Sequence, residues 1–200
     1  MQIGDKIVFG DYSWCVLDIK SGAALIIPEY ILEIRSYHDA YTAITWENCS
    51  LRKYLNGEFY DKFSPADKAR ILSTTNKNQN NQWYGTEGGA DTQDNIFLLS
   101  MEEAVCQYFG DSREKLYNPG KNQRYWFERK DANNRKRAAM FEGEGWNSWW
   151  WLRSPGRVGV KAVYIHGDGN IGIQGNNILK GNIADGKCTG GVRPVLWIAL

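Results

Sequence analysis

Short apolar and β-branched runs open the chain at residues 6–9, 14–19 and 23–27, separated by Gly10-Asp11 and Ser21-Gly22. Runs of this length between turn-forming pairs predict a β-meander. The period then changes. Leu51, Tyr54 and Leu55 fall at i, i+3 and i+4 behind Ser50, which predicts an N-capped helix with one apolar stripe. Ser64-Pro65-Ala66-Asp67 supplies a cap, a proline at the first helical position and an acid in the first turn, so a short helix is expected to about Arg70. Ser100 and Glu103 form a capping-box pair for a third helix, with Ala104, Val105 and Tyr108 facing inward and Gly110 at its end. Residues 95–99 ahead of it read as a buried strand. Residues 76–89, rich in Asn, Gln and Gly, read as a long loop, either functional or a spacer.

After Gly143 glycine becomes frequent, carboxylates become few and no helical period remains. Residues 150–153, 162–166 and 170–174 read as strands, with Gly167-Asp168-Gly169 as the hairpin turn between the last two. Gly190-Gly191 leads into a final strand at residues 192–198. Strands at both ends, helices between them, and termini paired in one sheet define an α+β domain. No internal repeat is visible, and residues 1–200 are read as one domain. Residues 1–155 are its scaffold, about 156–190 a candidate binding region, and 191–199 a closing strand.

Composition changes this picture little. Two hundred residues with 42% hydrophobic and 24% charged residues are an ordinary globular balance, large enough for a core without disulfides or metals. A net charge of +1 gives no global pull toward nucleic acid or anionic membranes. Residues 121–137 are locally basic and read as a solvated loop rather than a phosphate-binding patch. Cys15, Cys49, Cys106 and Cys188 lie far apart with no C-x-x-C pair, and His38 and His166 are the two histidines, so no Cys/His zinc site is expected. No cofactor or metal is implied. The N-terminus lacks a basic, apolar leader and no stretch is long enough to span a membrane, which reads as a cytoplasmic chain, either a whole protein or one domain of a longer one. Nine Trp, eleven Tyr and seven Phe either fill a core or supply contact area.

Five segments resemble one family in order and spacing. They are Trp14-Cys15-Val16-Leu17-Asp18, the stretch from Thr45-Trp46-Glu47 to Tyr54-Leu55-Asn56, Asp94-Asn95-Ile96-Phe97-Leu98-Leu99-Ser100, Trp150-Trp151-Leu152-Arg153-Ser154-Pro155-Gly156, and Gly191-Val192-Arg193-Pro194-Val195-Leu196-Trp197. The family is an uncharacterised bacterial one marked by W-W-L-R-S-P-G and a terminal G-V-R-P-A-L, in which Val195 here replaces Ala. It looks like a branch of the C-type-lectin-like fold shared with formylglycine-generating enzymes and with variable proteins of diversity-generating retroelements. The resemblance implies short antiparallel sheets, two or three helices and long irregular loops. It also implies a scaffold that displays a C-terminal surface rewritten at template adenines.

The tail is compatible with that implication. Asparagine codons ending in a pyrimidine, mutated at adenine, never yield Lys, Gln, Glu, Met or Trp. Arg157, Val158, Gly159, Val160, His166, Gly172, Ile173, Leu179 and Ile183 are all reachable, and they stand among Asn170, Asn176, Asn177 and Asn182. Lys161, Gln174 and Lys180 would be fixed positions. A family member that never diversifies passes the same test. The expected recognition surface is Arg157, Val158, Val160, His166, Asn170, Ile173, Asn176, Asn177, Leu179, Asn182 and Ile183. Its partner is a protein or other macromolecule rather than nucleic acid, and the sequence leaves the oligomeric state open.

Other motifs carry less. Arg153 and Arg193 sit in apolar segments beside Trp and Pro, where a buried arginine serving backbone carbonyls outweighs an anion clamp. Trp149, Trp150 and Trp151 read as a mostly structural cluster, because at most one strand face is exposed. Glu142 and Glu144 alternate with glycine and read as a solvated loop. The E-P-N, Q-P-D and W-N-D sets of calcium-dependent lectins do not occur, and Cys188 has no second cysteine near it for a copper-dependent oxidase. The rival to a non-catalytic binding domain is an enzyme using Cys188, His166 and Asp168; a third reading is a structural accessory domain.

Overall fold

The computed structural model describes residues 1–110, 116, 132–143, 145–180 and 190–200. The meander forms as expected: β1 (Lys6–Phe9), β2 (Tyr12–Lys20) and β3 (Ala23–Pro28) pair antiparallel in order. Ser21 and Gly22 both take positive φ, 51° and 78°, so Lys20 lies opposite Ala23 across a tight two-residue hairpin of the primed type. Every residue of β3 is buried because it is the middle strand of a five-stranded sheet. Its order is β1-β2-β3-β14-β5, with β5 at Ile71–Leu72 and β14 at Leu196–Ala199. The two ends of the chain therefore share one sheet.

A second five-stranded sheet runs β12-β11-β10-β13-β4. It comprises β4 (Glu33–Ile34), β10 (Trp150–Pro155), β11 (Lys161–Ile165), β12 (Ile171–Asn177) and β13 (Gly191–Val192). Only the β10–β13 contact is parallel. Two small antiparallel ladders complete the described strands: β6 (Thr74–Asn76) with β7 (Thr92–Asp94), and β8 (Ala139–Met140) with β9 (Asn147–Ser148). The expected final strand is in fact two. Pro194 has no N–H to donate to a ladder, so the chain leaves the second sheet at Val192 and enters the first at Leu196. Arg193 fills the crossing, 6% exposed, donating from Nε to the Pro28 carbonyl at 2.9 Å with its guanidinium over the Trp150 ring. Burial lowers its pKa to about 10, against the charges of Cys15 and Glu29 that raise it.

The helices are short. Ser50–Tyr54 carries the predicted stripe, continued by a π-helical turn over Leu55–Phe59, but Ser50 is its first residue and Cys49 is the cap, its Sγ accepting from the Arg52 N–H. Pro65–Lys68 forms with Ser64 as cap. Ser100 and Glu103 exchange both capping-box hydrogen bonds, at 2.8 and 3.2 Å, ahead of a π-helical turn over Glu103–Gln107. Residues 95–99 are buried as expected from Ile96 onward, yet they form an isolated bridge, Phe97–Val195, and accept from the Arg153 N–H at Leu99 rather than joining a ladder. The basic stretch departs from expectation. Its described part is a helix, Ala132–Arg137, and Arg137 is fully buried, donating to the Gly169 carbonyl and to Asn134. No helix among the described residues is long and apolar enough to cross a membrane. The architecture is α+β.

Arg153 joins these parts. Its side chain is 2% exposed and meets both carboxylate oxygens of Glu103, at 2.5 and 2.7 Å. It also donates to the carbonyls of Leu98 and Lys77. Removing Glu103 strands that charge in the interior, where an uncompensated ion is costly. Glu103→Ala is expected to lower stability by about 3–5 kcal/mol. Part of that loss should be recovered in Arg153→Met/Glu103→Ala, as read by urea denaturation of the full double-mutant cycle.

Candidate functional site

The W-W-L-R-S-P-G segment holds the tail in place. Trp150 Nε1 donates to the Arg137 carbonyl and Trp151 Nε1 to the Arg35 carbonyl, with both rings fully buried. Ser154 Oγ accepts from the Met101 N–H, and the Pro155 carbonyl accepts from Asn81 Nδ2. Asn81 is 2% exposed; its amide also donates to the Ile173 carbonyl, and its Oδ1 accepts from the N–H groups of Trp83 and Tyr84. The long Asn-rich loop is thus folded around one asparagine, which also ties it to β12 at the Ile173 carbonyl. Asn81→Ala should cost at least about 2 kcal/mol, since four backbone groups lose their partner at once. Hydrogen exchange at the Trp83 and Tyr84 amides should accelerate in the same variant.

Between β10 and β11 the chain makes a turn whose backbone is pinned on several sides. Gly156 N–H donates to Lys161 O, Arg157 N–H to Gln174 O, Ile44 N–H to Gly159 O and Ile178 N–H to Val160 O. Thr86 Oγ1 donates to the Arg157 carbonyl at 2.8 Å. On this rigid turn Arg157 and Val158 face water, Val158 at 47% exposure, and the Arg157 guanidinium lies over the Tyr84 ring. Val160, Asn176, Asn177 and Leu179 are half-buried around the same end of the sheet, because Lys161 pairs with Asn177 and Ala162 with Asn176. The 37–44 segment adjoins it through the Ile44 hydrogen bond and carries Tyr41 at 63% exposure.

The expected surface is therefore not one patch. His166 and Asn170 lie beyond Ile165 and Ile171, which pair at the opposite end of the β11–β12 hairpin. Asn170 is 7% exposed, bonded to Asn134 and Asp168, and Ile173 is fully buried in the core. Neither can touch a partner: the side of β12 that carries Ile171 and Ile173 packs inward. Asn182 and Ile183 lie outside the described residues, as does Cys188. Sequence reading missed Tyr84 and Tyr41, which sit on loops distant in sequence. Aromatics in loop segments, Tyr41 exposed and Tyr84 half-buried, were the available signal.

His166 Nδ1 and Asp168 Oδ1 are 2.9 Å apart across the turn. Burial raises the Asp168 pKa, but the Asn170 N–H and His166 outweigh it and the net shift is downward. A lowered carboxylate pKa gives stability that is present above the unfolded value and lost as pH falls through the folded one. Asp168→Asn should lack that part of the acid destabilisation seen in urea titrations of the wild type between neutral and acid pH.

Two larger grooves occur elsewhere. One of about 710 Å³ is lined by Arg35, Ser36, Asp39, Ser50 and Tyr54 among others, and one of about 440 Å³ by Lys62, Ser64, Asp67 and Arg70. Their polar groups largely serve one another. Arg35 and Lys62 both pair with Glu33, whose carboxylate also accepts from the Tyr54 hydroxyl. Ser36 bonds Asp39, Ser50 bonds His38 and Ser64 bonds Asp67. Among the described residues no group of three or more His, Cys, Asp or Glu is arranged to hold a metal.

The fold and this pinned turn define an α+β domain with a rigid loop-and-sheet end. The chain belongs to the family described as Domain of unknown function (DUF6273), whose model matches residues 21–200. No curated protein matches the chain. No solved structure matches it.

Proposed function

We propose that the chain is a non-catalytic binding domain with a C-type-lectin-like arrangement, taking a macromolecular partner through the surface of Arg157, Val158, Val160, Asn176, Asn177 and Leu179. The observation that carries this reading is the 157–160 turn. It offers a cation and exposed aliphatic carbons on a backbone already fixed by hydrogen bonds from three other segments. Binding to such a surface loses little ordering entropy, which is what a recognition site requires. The resemblance to variable proteins supports a finer version in which these positions are diversified, since Arg157, Val158, Val160 and Leu179 are reachable from asparagine codons and Asn176 and Asn177 remain.

Two measurements test the proposal. Val158→Asp/Leu179→Asp, with an unchanged melting temperature, should lose roughly tenfold or more of the partner retained by the immobilised wild-type domain. Val8→Asp, on the exposed outer edge of the first sheet, should retain it. Equal retention by all three proteins defeats the reading. For the diversified version, the locus must carry a reverse transcriptase and a template copy of the tail that differs at adenines.

A further inference from the structure

A hollow of about 330 Å³ opens on the outer face of the β11–β12 hairpin, lined by Lys161, Tyr164, Gly172, Gln174, Gly175 and Asn176. Its shape comes from a bulge. Tyr164 lies opposite Gly172 and Ala162 opposite Asn176, so two steps along β11 are matched by four along β12. Gly175 absorbs the extra length at φ 78°, a value that a side chain would strain. The alternate positions 172, 174 and 176 then border one hollow, while Val163, Ile165, Ile171 and Ile173 belong to the core behind it. The Tyr164 ring fills the space a side chain at Gly172 would take, and Trp149 meets it edge-on at 5.3 Å.

What sets this hollow apart is its polar groups. Lys161, Gln174 and Asn176 are half-buried, and among the described residues none of their side chains has a hydrogen-bond or ion-pair partner. In the two larger grooves the half-buried Ser36, Ser50 and Asp67 are each bonded to another side chain, and the unbonded Asp11, Lys53 and Glu58 are exposed. Polar side chains held on a rigid sheet and left unpaired are available to a ligand at little reorganisation cost. The ammonium offers three donors, and each amide offers donors and an acceptor. A single cation with no arginine fork suits a singly charged group. Two adjacent amides suit a pair of neighbouring hydroxyls, and the volume suits one six-membered ring. We infer that this hollow is a subsite for a carboxylated sugar, a uronate unit of an anionic glycan, with Lys161 on the carboxylate and Gln174 and Asn176 on ring hydroxyls.

The inference rests on the reading of this end of the sheet as a binding surface, and it adds Lys161 and Gln174 to that surface. Its test is an NMR titration of the full chain with four probes: trigalacturonate, its methyl ester, neutral cellotriose and a glutamate-rich peptide. Trigalacturonate should shift the backbone amides of residues 161 and 172–176. Lys161→Met should weaken it by about tenfold or more, and Gln174→Leu or Asn176→Leu by roughly three- to tenfold. The methyl ester should bind as weakly as the charged probe does to Lys161→Met. Equal binding of ester and acid overturns the role of Lys161. Binding of the peptide without the uronate assigns the hollow to an acidic protein and overturns the sugar. Binding of no probe also overturns it, while the partner-retention measurement with Val158→Asp/Leu179→Asp decides the wider reading separately.

Discussion

Arg153 brings a permanent charge into the centre of the domain, and three segments are arranged to receive it. Glu103 supplies both carboxylate oxygens, Leu98 and Lys77 supply carbonyls, and the Arg153 carbonyl itself accepts from the Tyr37 hydroxyl at 2.9 Å. Both terminal nitrogens of the guanidinium are met in a fixed geometry, while Nε is buried without a hydrogen bond, so the segments that hold the two ends cannot shift independently. Glu103 is drawn in twice, because the same carboxylate closes the capping box on the Ser100 N–H. One ion pair thus couples a strand of the second sheet to a helix start, to a buried extended run and to the mouth of the long loop.

The same device recurs on a smaller scale. Asp94, 1% exposed, accepts from Trp46 Nε1, Arg52 Nε, Asn76 Nδ2 and Thr92 Oγ1, which fastens the first helix to the β6–β7 ladder. Asn81 plays that part for the loop, bonding the Trp83 and Tyr84 N–H groups and the Pro155 and Ile173 carbonyls. Irregular segments in this chain are therefore ordered by buried polar hubs rather than by long ladders. A hub that is fully bonded rigidifies its surroundings, whereas a polar group left unbonded at the surface is open to other molecules. That contrast separates the scaffold motifs, whose polar atoms are mostly occupied, from the 157–160 turn and the hollow beside it.

Much of this was legible in the order of residues. The meander, the apolar stripe of Leu51, Tyr54 and Leu55, the Ser64 cap and the Ser100–Glu103 box all depend on contacts within a few residues, and they form where the pattern places them. The hairpin turn at 167–169 and the burial of Arg153 and Arg193 likewise follow from local chemistry and apolar context. The split of the last strand was available in principle from Pro194. Arg137 was not: its burial depends on the Gly169 carbonyl, 32 residues away.

The α+β class, the turns and the Ser64 and Ser100 caps follow from the order of residues alone, because they are set by backbone preferences and side chains that act over one or two turns of chain; the first helix is capped one residue before the expected Ser50, at Cys49. Only the tertiary structure decided which tail positions reach water. Ile173 and Val158 are indistinguishable as aliphatic residues in a glycine-rich tail, yet one is sealed in the core and the other stands on a pinned turn. The bulge that aims Gln174 and Asn176 into one hollow with Lys161 is likewise a matter of register between two strands. Register is fixed by how the whole sheet packs, and no single segment carries that information.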